Sequence, residues 1–291
     1  MNDPMPVPVS VSEHRSRWGE GPFWCGGKLW YVDIEGKALQ AFDPQCGETG
    51  RWDMGQRIGF ARPLAGGGLV WGGDHGLYLR KTPAGGDLLL PGSAPESGDH
   101  RYNDAGVSPD GVLFAGTISL KKLQGSAHLY RVDAQGGREV AISGVTNSNG
   151  IGWTPEGNAC FYIDTPRRQV LRYRYEAGRL QDPEVLVDTG GIEGSPDGLA
   201  VDVTGNLWVA FCHGGCVCAF DGVTGALQQR IDFPCIETTA CAFGGAHMRD
   251  LYVTTGVAKD REEPEAGRLF VVEDVGVAGV PVVPAAIALP A

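Results

Sequence analysis

No run of about 20 apolar residues occurs in this 291-residue chain, so no segment has the length of a membrane-crossing helix. Positive charge is also scarce: 24 Lys and Arg stand against 35 Asp and Glu, a formal net charge of -11. Phosphate-rich partners would be repelled, which argues against nucleic acid and anionic membrane surfaces. The first residues, Met1-Asn2-Asp3-Pro4-Met5, lack the basic and apolar regions of a secretory signal, and a cytoplasmic protein is the expectation. Long helices are disfavoured too, because 45 Gly and 19 Pro punctuate the chain too often.

Cysteine is not lacking, at eight residues, yet without an oxidising compartment these read as free thiols. The run Cys212-His213-Gly214-Gly215-Cys216-Val217-Cys218 has no second ligand pair at a zinc-finger or zinc-ribbon spacing. Cys216 and Cys218 alternate onto one face of a strand, where Cys behaves as a small hydrophobe. His213, standing alone, reads as a structural histidine.

What the chain does contain is a repeat. Short apolar strands begin at Leu29, Leu69, Leu113, Cys160, Leu207 and Leu251, separated by roughly 40 to 48 residues, the period of propeller blades. Upstream of each lies a shorter strand and a tight turn, such as Ser108-Pro109-Asp110-Gly111 or Thr154-Pro155-Glu156-Gly157, and Gly and Pro-Asp-Gly turns favour hairpins. Downstream comes an alternating third strand, and in several repeats a fourth. The pattern predicts an all-β fold, a six-bladed β-propeller with four-stranded antiparallel blades around a central channel. No linker-like shift in composition divides residues 1–291, so a single domain is expected. Residues 6–13, where Val7, Val9 and Val11 alternate, are expected to complete the last blade. The tail from Val275, broken by Pro281, Pro284 and Pro290, is expected to lie over the surface.

The repeat also orders the polar residues. Glu20 lies nine residues before Leu29, Asn103 ten before Leu113, Asn149 eleven before Cys160, and Asp197 ten before Leu207. In a propeller the first strand of each blade lines the channel, so equal register means equal height. The four side chains should converge at one channel mouth. Taken singly, each could merely cap a turn. Taken together, two carboxylates and two amides make a set of hard oxygen donors for one divalent metal ion: Ca²⁺, Mg²⁺ or Mn²⁺, with Zn²⁺ and Fe²⁺ tolerated. Arg101, two residues before Asn103, should face the same way by strand alternation and could bind a substrate oxygen or carboxylate. Asp104 alternates away and reads as structural, Asp202 as a turn residue and Asp164 as a strand end. Trp18, Trp24, Trp30, Trp153 and Trp208 read as packing residues.

Several of these segments resemble the senescence marker protein, gluconolactonase and luciferin-regenerating enzyme family. They are Gly19-Glu20-Gly21-Pro22, Arg101-Tyr102-Asn103-Asp104, Ser108-Pro109-Asp110-Gly111, Ala115-Gly116-Thr117, Ser148-Asn149-Gly150 and Ser195-Pro196-Asp197-Gly198. Thr238 through Gly245 and Glu265-Ala266-Gly267-Arg268-Leu269-Phe270 continue the match. The resemblance implies a six-bladed propeller with one divalent metal in the channel, held by Glu20, Asn149 and Asp197, with Arg101 and Asn103 contacting substrate. It also implies hydrolysis of sugar-acid lactones. One departure follows the Ala-Gly-Thr strand, where some members carry Met and then acidic residues. Here the run is Ile118-Ser119-Leu120-Lys121-Lys122, which could form a lid.

The resulting expectation is a monomeric, metal-dependent lactonase acting on a pentono- or hexonolactone. The metal serves as Lewis acid on the lactone carbonyl, and Asp197 takes the proton of the attacking water. Two other readings stay open: an aryl-ester or organophosphate hydrolase with an apolar rim, and a non-catalytic binding propeller.

Overall fold

In the computed structural model, which describes residues 7–288, the strands fall into six four-stranded antiparallel sheets. A two-residue strand, β1 (Val9–Ser10), precedes the first complete blade, β2 (Gly19–Cys25), β3 (Lys28–Asp33), β4 (Ala38–Asp43) and β5 (Glu48–Asp53). The second blade is β6 (Ile58–Pro63), β7 (Leu69–Gly73), β8 (Leu77–Arg80) and β9 (Asp87–Leu89). The third is β10 (His100–Val107), β11 (Leu113–Ser119), β12 (Ala127–Val132) and β13 (Arg138–Val145). The fourth is β14 (Ser148–Trp153), β15 (Ala159–Asp164), β16 (Gln169–Glu176) and β17 (Arg179–Asp188), and the fifth β18 (Ser195–Val201), β19 (Leu207–Cys212), β20 (Cys216–Phe220) and β21 (Leu227–Asp232). In the sixth, β22 (Thr238–Gly244), β23 (Asp250–Thr255) and β24 (Phe270–Val272) are joined by β1 from the start of the chain. The predicted six-bladed propeller is therefore the observed one. The first strands β2, β6, β10, β14, β18 and β22 each contact the next around a closed ring.

The hairpins form for local reasons. At Ser108-Pro109-Asp110-Gly111, Gly111 takes φ +82°, a conformation without steric cost only for glycine. Its N–H donates to Ser108 O at 2.9 Å, and the Ser108 hydroxyl donates to Asp110 Oδ1 at 2.5 Å. The core is not one central mass. It consists of six clusters, each wedged between adjacent blades. Phe114 of the third blade, for example, packs edge-on to Tyr175 and beside Trp153 of the fourth. All eight cysteines are free thiols, and Cys216 and Cys218 are fully buried in such a wedge.

Two predicted connections turn out differently in detail. The closing strand is shorter than the eight residues expected: only Val9 and Ser10 pair with β24, opposite Val271 and Phe270, and Pro6 lies outside the described residues. Val11 N then donates to Leu269 O, and Leu269 N to Ser12 Oγ. The tail does not simply lie over the surface. Its prolines prevent a sheet, but free backbone groups are satisfied by hairpin turns at the lower mouth of the channel. Val280 N donates to Val201 O, Ala285 N to Pro63 O and Ala286 N to Gly111 O. Ala285 and Ile287 enter the core, and Val280, Pro281, Val282 and Val283 wall a lower cavity of about 390 Å³.

Deletion of residues 1–13 should lower unfolding free energy by about 2–4 kcal/mol, since a handful of hydrogen bonds at 0.5–1.5 kcal/mol each are lost. Urea denaturation followed by tryptophan fluorescence measures this, and an unchanged midpoint would show that the sixth blade needs no closing strand.

Candidate active site at the upper channel mouth

Every first strand breaks its pairing register at the same height. The shifts fall between Glu20 and Phe23, Ile58 and Phe60, Tyr102 and Ala105, Ser148 and Ile151, Pro196 and Leu199, and Thr238 and Ala240. Such bulges re-aim side chains that regular alternation would bury between sheets. Glu20 sits at the edge of its bulge, while Asn103, Asn149 and Asp197 sit inside theirs. Glycine lets neighbouring bulges approach: a Cβ on Gly150 would lie 2.7 Å from Asp197 O, and one on Gly198 would lie 2.3 Å from the Ala240 Cβ. No other residue fits without moving backbone.

The consequence is a cavity of about 650 Å³ that Glu20, Arg101, Asn103, Asn149 and Asp197 all line. All five predicted site residues are thus brought together, and all are buried. Glu20 Oε2 accepts from the adjacent Gly21 N–H at 2.9 Å. Asn149 donates from Nδ2 to Thr165 Oγ1 at 2.9 Å, and its Oδ1 is buried with no partner among the described residues. A buried amide oxygen without a donor is costly unless something positive meets it. Arg101 donates from Nη1 to Asn103 Oδ1 at 2.7 Å and to Tyr102 O at 2.8 Å, while its Nε is buried without a partner. Asn103 is fully engaged, since its Nδ2 donates to Asn147 Oδ1 and Ser148 O. It fixes Arg101 at the cavity wall.

The charges explain the electrostatics. Burial and the neighbouring Asp104 push the Glu20 carboxyl up to about 8. Burial, then Glu20, Asp104 and Glu237, push Asp197 well above the carboxylate range. Burial and then Arg57 lower Arg101 to about 10, which leaves it a cation at neutral pH. Arg62 pairs with Asp104 at 3.2 Å beneath the site. Asp104 is structural, as expected, and so are Asp202, which accepts from Thr204 N, Asn206 N and Trp208 Nε1, and Asp164, which accepts from Thr146 N and Asn147 N. Two carboxylates and one orphaned amide oxygen, at the mouth of a closed channel, fit a divalent cation through oxygen donors.

The sequence reading missed several residues. Trp18 lines the cavity instead of only packing, as do Asn147, Ser195, Cys212 and His213. Glu237 is buried beside them. A signal existed: Trp18, Arg101, Asn147, Ser195 and Glu237 each stand two residues before the bulge position of their blade. Only Arg101 among these is expected at the cavity from strand alternation. His213 is paired, its Nδ1 2.9 Å from Glu237 Oε1, but its side chain is largely exposed.

Comparison with known proteins follows the same lines. A profile described as SMP-30/Gluconolactonase/LRE-like region matches residues 18–257. Pentonolactonase XacC of Haloferax volcanii is 33% identical over 289 residues, 93% of this chain and 95% of that one. Regucalcin of Danio rerio is 30% identical over 283 residues, 93% and 95% of the two chains. The crystal structure of a calcium-binding protein, regucalcin, from Agrobacterium tumefaciens superposes with a TM-score of 0.88 at 25% identity and covers 98% of each chain.

The raised Glu20 carboxyl has a measurable consequence. In chelator, the folded protein holds a proton between the ordinary value of 4.5 and about 8 that the unfolded chain has lost. Its contribution to stability is therefore complete below 4.5 and fades as pH rises through about 8. The melting temperature in chelator should fall from pH 5 to pH 8, and less steeply in Glu20→Gln. An equal fall in both proteins would remove Glu20 from this role.

Proposed function

The chain belongs to the SMP-30/gluconolactonase/LRE-like family, and on that premise we propose that it is a divalent-metal-dependent lactonase that opens a sugar-acid lactone to the free acid. The observation that carries this reading is the buried Asn149 Oδ1, unpartnered among the described residues, on a residue that lines the cavity together with Glu20, Asp197 and Arg101. Glu20, Asn149 and Asp197 are the residues that would hold the ion. Calcium, magnesium and manganese suit such donors best. When bound, the ion supplies Lewis-acid stabilisation of negative charge developing on the lactone carbonyl.

The chain's own groups supply the rest. Arg101 presents its free Nε to a substrate oxygen, held in place by Asn103 Oδ1. That fixed geometry contributes orientation more than chemistry. Water attacks the carbonyl carbon and gives a proton to the Asp197 carboxylate, which a bound cation would keep ionised against the upward push of burial. The bond from that carbon to the ring oxygen breaks, and the leaving oxygen takes that proton back from Asp197, so lactone and water become hydroxy acid. Burial at the channel mouth keeps bulk water from competing with these contacts.

The lining favours a polyhydroxylated substrate over an aryl ester. Asn147, Thr146, Ser195, Ser119 and Gln124 offer hydrogen-bonding groups, and Lys122 adds a cation. Trp18 and Ile118 add limited apolar surface. Sites built to pair hydroxyls reject analogues that lack them.

Acid release from gluconolactone and from pentonolactones, followed in a pH-stat, tests the reading. Asp197→Ala should lower kcat by about 100-fold or more with unchanged circular dichroism. Arg101→Ala should raise KM by about 10- to 100-fold, the worth of a hydrogen bond to a charged group. Chelation should abolish hydrolysis and readdition of a single divalent metal should restore it. Full activity in Asp197→Ala or in chelated enzyme would reject the proposal.

A further inference from the structure

The run of cysteines after β19 divides in the structure. Cys216 and Cys218 turn into the core between blades, their sulfurs 4.0 Å apart and out of solvent. Cys212 turns the other way. Its Sγ lies 3.0 Å from Glu237 Oε2, while Glu237 Oε1 lies 2.9 Å from His213 Nδ1. One thiol, one imidazole nitrogen and one carboxylate oxygen thus lie within 4.8 Å of one another.

The three groups are held from different directions. Cys212 ends β19. His213 begins the tight turn with φ +61°, a left-handed conformation that brings its ring back toward the strand end. Glu237 arrives from the neighbouring blade and is anchored by the His213 backbone N–H at 3.1 Å. Cys212 and Glu237 are buried, whereas the His213 side chain is 64% exposed. One side of the cluster is therefore rigid, and the other can swing to admit an ion from solvent. Burial, then the carboxylates of Asp197, Glu237 and Glu20, push the Cys212 thiol well above its ordinary value, and an arriving cation relieves that by displacing the thiol proton.

We propose that Cys212, His213 and Glu237 form a second cation site, selective for a thiophilic divalent ion of the zinc class. Sulfur and imidazole ligands prefer Zn²⁺ and Cd²⁺, and contribute little to binding Ca²⁺ or Mg²⁺. Zinc binds sulfur at about 2.3 Å and nitrogen or oxygen at about 2.0–2.2 Å, which places ligand atoms about 3.5 Å apart. A small rotation of the exposed His213 ring closes the cluster to that size. Three protein ligands leave a fourth position facing the cavity that Cys212 and His213 line. The site adjoins the oxygen-donor set of Glu20, Asn149 and Asp197, because Cys212 also hydrogen-bonds Asp197, but its sulfur and imidazole ligands are its own and its existence does not depend on the lactonase reading.

Cadmium is the probe, because a cadmium–thiolate bond produces an ultraviolet charge-transfer band that oxygen ligands do not. The reduced full-length protein is titrated with Cd²⁺ in excess Mg²⁺, which fills the oxygen-donor site. The band should saturate at one equivalent, vanish in Cys212→Ser and remain in Cys216→Ser. His213→Ala changes an exposed side chain and should weaken Cd²⁺ binding by about 10- to 100-fold. A missing band, a band that survives in Cys212→Ser, or unchanged affinity in His213→Ala would each overturn the proposal.

Discussion

Glu20, Asp104, Asp197 and Glu237 are all buried near one end of the channel, and the guanidiniums of Arg62 and Arg101 are the charges set against them. Arg62 pairs with Asp104, and Arg101 is tied to Asn103. Among the described residues Glu20 and Asp197 have no salt-bridge partner, and their carboxyls are driven upward by burial and then by neighbouring carboxylates, Asp104 beside Glu20, and Glu20, Asp104 and Glu237 beside Asp197. Unpaired buried charge is expensive, and a fold keeps such an arrangement where something else supplies the counter-charge. The orphaned Asn149 oxygen points to the same conclusion from a neutral group. On the proposed reading, the donor set and the closed ring meet one local need, a cation held by oxygen.

That arrangement depends on the bulges. In an unbroken strand, residues flanking Asn149 or Asp197 would alternate strictly between the two faces. A register shift at the same height in six strands turns the polar residues into the channel and brings the backbones close, at distances that only Gly150 and Gly198 permit. The lower end of the same strands is walled by apolar residues and covered by the tail. The channel is therefore polar at one mouth and apolar at the other, and the candidate catalytic groups lie at the polar end.

Much of this was legible in the sequence. The blade period is carried by short apolar strands and by Gly and Pro turns, both local signals, so six blades and the height of Glu20, Asn103, Asn149 and Asp197 could be read directly. The bulges could not, because a register shift depends on which residue pairs with which across two strands. Arg101 was expected at the cavity by regular alternation. It is there, although the register breaks one residue later. Asn103 also reaches the cavity, but its role in holding Arg101 appears only once Asn147 and Ser148 are placed beside it. Glu237 was passed over because its blade carries Thr239 at the bulge, where four other blades show Glu20, Asn103, Asn149 and Asp197. The tail misled for another reason: its prolines do exclude a sheet, but they leave backbone groups free to bond hairpin turns far away in sequence.

Crystals grown with Ca²⁺ or Mn²⁺ and measured at a wavelength where the ion scatters anomalously test the central claim most directly. The account predicts one anomalous peak in the upper cavity, within about 2.0–2.6 Å of a Glu20 carboxylate oxygen, Asn149 Oδ1 and an Asp197 carboxylate oxygen. A peak elsewhere, or none there at saturating metal, would contradict it.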